Sequence, residues 1–281
     1  MPSKPSGHPP GQSRTAFQIL QEQLKYVDVV IEVLDARAPL SSRHPRSKDI
    51  FGAKPRILVV TKEDLGDPVL IRHWVKQFNE EGEDGKALAL SLKTDKNKEK
   101  VFNLVLAMTK EKREQLAAKG LLPRSMRLCV VGMPNVGKSS LINWLIGQKK
   151  TKVGNRPGVT KGAQWVRVHP QIELLDTPGI LPAFSFSHEV SNKLAFFNLL
   201  PESAYDSEEI AERGLEQLRA QYPDLLKSYI SQDQCALSLD EIARARNFLT
   251  TGGKLDRVRA ANVFLADVRN GKLGRVTLDR P

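Results

Sequence analysis

Between an apolar run, Leu128-Cys129-Val130-Val131, and a segment of helical character from Ser139 to Leu145 lies Gly132-Met133-Pro134-Asn135-Val136-Gly137-Lys138-Ser139. No other stretch constrains the chain as much. It fits G-x-x-x-x-G-K-[ST] in the context that pattern requires, strand before and helix after. The glycines let the backbone curl so that successive N–H groups point inward toward phosphate, and the helix N-terminus adds partial positive charge. Lys138 is expected to reach the β- and γ-phosphates of a nucleotide and to act in its cleavage, with the Ser139 hydroxyl on Mg2+. Asn135, Val136, Gly137 and Ser140 complete the phosphate-binding loop.

Downstream, Asp176-Thr177-Pro178-Gly179 follows the apolar run that ends at Leu175. An aspartate at the end of such a strand can hold Mg2+ directly or through water, and Gly179 lets a backbone N–H approach the γ-phosphate. Arg156-Pro157-Gly158-Val159-Thr160 lies between the two motifs. Thr160 on a loop there can complete the metal shell and sense the γ-phosphate. Read from the residues alone, it is equally a turn residue.

The base is read elsewhere. Thr61-Lys62-Glu63-Asp64 follows the strand-like Ile57-Leu58-Val59-Val60 and matches Asn/Thr-Lys-x-Asp. The Asp64 carboxylate can accept from the guanine ring N–H and the exocyclic amine together. Adenine lacks that donor pair, which disfavours an ATPase. Lys62 is expected to lay its stem along the base. Thr61 stands where Asn is commoner, a departure expected to anchor the loop slightly less firmly. Ser91-Leu92-Lys93, after the run Ala87 to Leu90, fits the loop that closes over the base.

These motifs come in a rotated order, base-reading segments before the phosphate loop. The same sheet can form if the chain is opened at a different connection, since domain termini often lie close together at the surface. Strand-like runs alternating with amphipathic segments up to residue 182 predict an α/β layered, doubly wound G domain over 1–182. Trp165–Val168 and Ile172–Leu175 read as a hairpin, and 98–118 as one long charged helix. Phe17, Leu20 and Leu24 share a face of an earlier helix. Over 183–281 strand signals disappear, and Val190–Leu200, Ser207–Leu218, Leu239–Leu249 and Lys254–Val268 carry helical periodicity, so a smaller all-helical domain is expected.

An apolar share of 40% and a charged share of 27% are ordinary for a soluble protein. No apolar run approaches the roughly 18 residues that span a bilayer, and Met1-Pro2-Ser3-Lys4-Pro5 lacks the apolar stretch of a secretion signal. A cytoplasmic protein with no membrane partner is expected. Cys129 and Cys235 are too few for a disulfide framework or a zinc site. The net charge of +11 is concentrated. Met133 to Pro170 contains no acidic residue, and a second group comprises Arg244, Arg246, Lys254, Arg257, Arg259, Arg269, Lys272, Arg275 and Arg280. Such clustering points to a polyanionic partner.

With these motifs in this order, the chain resembles the circularly permuted GTPases and, within them, the YlqF/RbgA family, ribosome biogenesis GTPase A. The likeness covers nearly the whole chain. It includes Asp35-Ala36-Arg37-Ala38-Pro39, Gly252-Gly253 and Gly271-Lys272-Leu273-Gly274-Arg275. It implies hydrolysis of GTP to GDP by a monomeric assembly factor that acts late in maturation of the large ribosomal subunit and contacts its rRNA, not DNA, through the helical domain. Asn135 matches an asparagine associated with K+ in related GTPases. Ile180 stands where other GTPases place a water-orienting glutamine, and the family uses a histidine in a Pro-Gly-His motif. Here Pro10-Gly11-Gln12 matches that motif, so Gln12 or, with a slipped register, His8 is the candidate. Loss of both usual groups leaves open an alternative, a GTP-gated RNA-binding scaffold with negligible turnover.

Overall fold

A computed structural model describes residues 16–80, 85–120, 124–147, 164–176, 179–181, 184–229 and 237–281. Gln12, His8, Thr160 with the rest of its loop, Thr177, Pro178, Cys235 and the side chain of Phe17 lie outside the described residues. The first part of the chain runs α1 (Ala16–Leu24), β1 (Val29–Asp35), α2 (Ser47–Phe51), β2 (Arg56–Thr61), α3 (Pro68–Glu80), β3 (Lys86–Ala89), α4 (Glu99–Met108), α5 (Lys110–Ala118), β4 (Met126–Gly132) and α6 (Lys138–Ile146). After β5 (Trp165–His169), β6 (Ile172–Leu175) and β7 (Gly179–Ile180) come α7 (His188–Phe196), α8 (Ser207–Gln221), α9 (Pro223–Tyr229), α10 (Leu239–Ala245) and α11 (Arg257–Arg269).

Strands β1 and β2 are buried along their whole length, as sheet strands covered on both faces must be. Their side chains alternate. Val29, Ile31, Val33, Ile57 and Val59 pack with the apolar residues of α4 and α6. Val30 packs with Leu20 and Leu24 of α1 and Phe51 of α2, and Leu34, Leu58 and Val60 with Trp74 and Phe78 of α3. Cys129 of β4 is fully buried, and burial pushes its thiol up to about 12, so it is an inert core residue.

The strand order is β3-β2-β1-β4-β6-β5, with β7 also paired to β4. All pairings are parallel except the β5–β6 hairpin at the edge. The chain leaves β1 toward one side of the sheet and leaves β4 toward the other. In a doubly wound sheet that reversal opens a crevice at the carboxyl ends of the two strands, where ligands bind. The permuted G domain is therefore built around the β1/β4 junction.

The sheet is pinned at its opposite end by Asp28, which accepts from Arg124 at 2.7 and 2.8 Å and from Lys112 at 2.6 Å. Burial alone would raise this carboxyl, but those cations and the Arg127 N–H outweigh it and hold it at about 2.

Four of the helices after residue 184 begin where the sequence offers caps: Ser187, Asp206, Ser238 and Asp256 each accept from a backbone N–H of the first turn. Their apolar faces join the same cluster that covers one face of the sheet. Four local features depart from the sequence expectation. α7 ends at Phe196, short of Leu200, before left-handed Asn198. The segment 98–118 breaks at Thr109, whose hydroxyl bonds back to the Val105 carbonyl at 2.8 Å, a contact that bends helices. α10 stops at Ala245, short of Leu249, because Asn247 turns left-handed at φ +53°. Leu249 and Leu255 then form an antiparallel bridge in a region where the sequence carries no strand signal. Among the described residues, no helix is long and apolar enough to cross a membrane.

Candidate active site

The phosphate loop leaves β4 at Gly132, which the sheet requires to be a glycine: a Cβ there would stand 2.7 Å from the Val33 carbonyl oxygen of the neighbouring strand. Asn135 and Gly137 both have positive φ, +56° and +105°, so the backbone curls before entering α6 at Lys138. Val136 is buried beneath the loop while Asn135, Ser139 and Ser140 are exposed on it. The Lys138 ammonium donates to the Met133 carbonyl at 2.6 Å across the loop. Burial lowers its pKa from the usual lysine value.

Asp176 lies exposed just beyond β6, its N–H bonded to the Gln164 carbonyl at 2.9 Å. The chain returns in β7, where Gly179 pairs with Val131 and Ile180 with Gly132. Gly179, the last residue of the Asp-Thr-Pro-Gly motif, thus lies on the strand beside the phosphate loop's first glycine.

The base-reading segment leaves β2, next to β1. Thr61 is fully buried, and its hydroxyl bonds to the Val136 carbonyl of the phosphate loop and to the Leu34 carbonyl at 3.0 Å. This short side chain ties the two loops together directly. Lys62 is left-handed at φ +58°, and its ammonium donates to Asp35 at 2.8 Å and to the Asn135 carbonyl at 2.7 Å. Burial lowers the Lys62 pKa, only partly offset by Asp35. Asp64 accepts from the Ser91 hydroxyl at 3.1 Å and pairs with Lys93 at 3.0 Å. Desolvation would raise its carboxyl, but Lys93 and Ser91 leave it below the usual value, so it stays an ionised double acceptor. Glu63 is partly exposed on the same short turn, and Leu92 packs its side chain against the core.

Asp35 and Arg37 have no chemical role in the nucleotide motifs, yet they join the site's parts. Asp35 is fully buried and accepts from Arg37 at 2.7 and 2.8 Å as well as from Lys62. Desolvation alone would raise its carboxyl, but Arg37 and then Lys62 bring it down to about 2. The Arg37 guanidinium also donates to the Arg269 carbonyl at 3.1 Å and sits 4.7 Å from the centre of the Phe197 ring. The Asn135 amide donates to the Asn198 carbonyl at 2.8 Å. The helices beyond residue 184 thereby touch both nucleotide loops.

These loops form a cradle at the β1/β4 crevice whose chemistry suits a guanine nucleotide. Ser139, in the first turn of α6, and Asp176, just beyond β6, carry hard oxygen donors of the kind that suits Mg2+, which keeps several waters and takes few protein ligands. That ion would neutralise developing phosphate charge.

Known proteins resemble the chain over almost its whole length. The family described as 50S ribosome-binding GTPase matches residues 127–233. "Ribosome biogenesis GTPase A" of Bacillus cereus is 36% identical over 277 residues, covering 97% of this chain and 93% of that protein. Among solved structures, GDP-bound TM YlqF superposes with a TM-score of 0.67 at 28% identity, covering 93% of this chain and 98% of that one. GNP-bound YlqF from Thermotoga maritima gives 0.66 at 28%, covering 93% and 96%. With the likeness running end to end and the nucleotide loops assembled at the carboxyl end of the sheet, the chain belongs to the ribosome biogenesis GTPase A family and is a GTP hydrolase that binds GTP, GDP and Mg2+.

Proposed function

We propose that this GTPase acts late in maturation of the large ribosomal subunit, binding its rRNA through the region 183–281 while residues 1–182 bind and hydrolyse GTP. The observation that carries the reading is the direct bonding of the phosphate loop to the base loop (Thr61 to Val136) and of the phosphate loop to the helical region (Asn135 to Asn198). A nucleotide that spans the two loops would also be felt by the helices. Asp64 selects guanine. Lys138 and the backbone of Val136 to Ser140 hold the phosphates, and Ser139, Asp176 and Thr160 hold Mg2+. Gly179 meets the γ-phosphate, and Asn135 takes K+. Water attacks in line, and catalysis consists mainly of positioning and charge stabilisation. Gln12 or His8 orients that water. The protein works as a cytoplasmic monomer, its slow intrinsic turnover raised by the maturing particle, and hydrolysis times its release.

Of the nine basic residues over 244–280, Arg280 stands over the Tyr222 ring at 5.2 Å, and the other eight divide into two groups. Arg246, Arg257, Arg269, Lys272 and Arg275 are engaged by internal carboxylates or carbonyls. Arg244 and Lys254 are exposed, and Arg259 stands over the Phe248 ring at 4.4 Å. RNA contact is assigned to this second group.

Single-turnover hydrolysis with and without large-subunit precursors, in Na+ and in K+, tests the reading. Stimulation by the particle supports it. Tight GTP-dependent binding without stimulation would favour the RNA-binding scaffold, the reading to which Ile180 lends weight. Comparing Gln12→Ala, His8→Ala and the double variant in that assay identifies the water-positioning side chain, and an unimpaired double variant excludes both.

A further inference from the structure

The Gly271-Lys272-Leu273-Gly274-Arg275 signature has no place in the phosphate or base motifs, yet its last residue reaches the base loop. After α11 the chain turns at Gly271, where φ is +78° and a Cβ would stand 2.7 Å from the Leu65 side chain. Leu273 is buried, and the tail then runs along the turn that carries Asp64. Arg275 donates through Nε to the Gly66 carbonyl and through Nη2 to the Glu63 carbonyl, both at 2.8 Å. The next N–H, of Val276, donates to the Leu65 carbonyl at 3.0 Å. The Thr277 hydroxyl accepts from the Asp67 N–H at 3.0 Å and donates to the Ala36 carbonyl at 2.8 Å.

The turn needs such support. It opens on Lys62, held left-handed without being glycine, a conformation that persists only where the surroundings enforce it. Within the turn the backbone makes one bond, Leu65 N–H to the Lys62 carbonyl at 2.9 Å; outside it, Glu63 N–H reaches Leu90 at 3.4 Å, and the side chains of Lys62 and Asp64 are held by Asp35, Ser91 and Lys93. The carbonyls of Glu63, Leu65 and Gly66 are taken by the tail instead. A planar guanidinium suits the task, since its fork reaches two carbonyls at once where an ammonium holds one as a point charge.

We propose that Arg275 is a positioning residue for guanine recognition, setting from the far end of the chain the turn on which Asp64 meets the base. The proposal rests on the reading that Asp64 accepts from the guanine N–H and amine. It makes nucleotide discrimination depend on the helical region: whatever draws the tail off the turn loosens the hold on guanine.

The test measures equilibrium binding of GDP and of IDP, which lacks the exocyclic amine, to the full-length protein. The ratio of the two affinities is independent of the fraction of protein folded. Arg275→Ala should weaken GDP more than IDP, lowering the ratio by roughly three- to tenfold, the scale of one ordinary hydrogen bond and less than full loss of the charged one. Arg275→Lys should fall between, and it carries the test alone should the alanine variant not fold. Asp64→Asn is measured alongside. If it too leaves the ratio unchanged, the reading of Asp64 is wrong and the proposal falls with it. If Asp64→Asn lowers the ratio and the Arg275 variants do not, base reading stands and Arg275 is only a structural tie.

Discussion

The Lys62 ammonium donates to the Asp35 carboxylate at 2.8 Å, so the lysine expected to lie along the base is held by the strand end next to its own. Asp35 also neutralises buried Arg37, which continues to Phe197 and Arg269. One buried carboxylate therefore connects the base loop to the helices. Asp35→Ala would strand the Arg37 guanidinium in a buried position, an effect of about 3–5 kcal/mol for a broken buried pair. Urea unfolding of the variant should show that loss, and a midpoint equal to the parent's would contradict the assignment.

Acid should destabilise the protein through Asp28 and Asp35. Both have folded pKa values of about 2 against an ordinary 3.8. A depressed carboxyl contributes stability that is complete above the unfolded value and is lost as pH falls through the folded one. Each contributes about 2 kcal/mol that disappears between about pH 4 and about pH 2. Urea midpoints measured across that interval should fall steeply, and Asp28→Asn should remove part of the slope.

Asp64→Asn should lose roughly 1.5–3 kcal/mol of GDP and GTP affinity, because a charged acceptor pair for guanine is replaced by a mismatched amide. Its side chain bonds to Ser91 and Lys93 near the surface, so the fold should survive. Unchanged affinity in equilibrium titration would remove this residue from the site.

Lys138→Ala and Ser139→Ala should abolish hydrolysis while leaving the unfolding midpoint near the parent's. The Lys138 ammonium bonds to Met133 within its own loop, and Ser139 is exposed, so neither supports the core. Normal single-turnover rates in either variant would refute the phosphate-loop roles.

Deleting residues 183–281, the direct test of RNA binding that the sequence invites, would also strip the tail from the Asp64 turn and break Asn135 from Asn198. Charge reversal is cleaner. Arg244→Glu with Lys254→Glu should weaken binding to large-subunit RNA and flatten its dependence on log salt by roughly one for each phosphate no longer neutralised. Reversing Arg257 instead should also lower the unfolding midpoint, since it bridges Glu208 and Glu212 of α8 to Asp240 of α10 in partly exposed pairs. Equal RNA affinity for the Arg244/Lys254 variant and the parent would move the interface elsewhere.

Features that depend on short spans of residues are legible in the chain alone. The glycine spacing before Lys138, the apolar runs of β1, β2 and β4, the Thr61–Asp64 motif and the capped helix starts each follow from neighbours within a few residues. The permuted order is legible for the same reason, because each motif is recognisable by itself and its position along the chain can then be read off. Packing settles what depends on distant partners. Charge counting treats Arg246, Arg257, Lys272 and Arg275 as free cations, while the fold satisfies each with a carboxylate or carbonyl from another element. The substitution at Thr61 reads as a weaker anchor, since nothing local shows that the Val136 carbonyl lies within reach of its hydroxyl. A buried polar group must find a partner, and the sequence names the group without naming the partner. Arg275 and Glu63 are far apart along the chain, and only the packing of α11 and its Gly271 turn against Leu65 brings them to 2.8 Å.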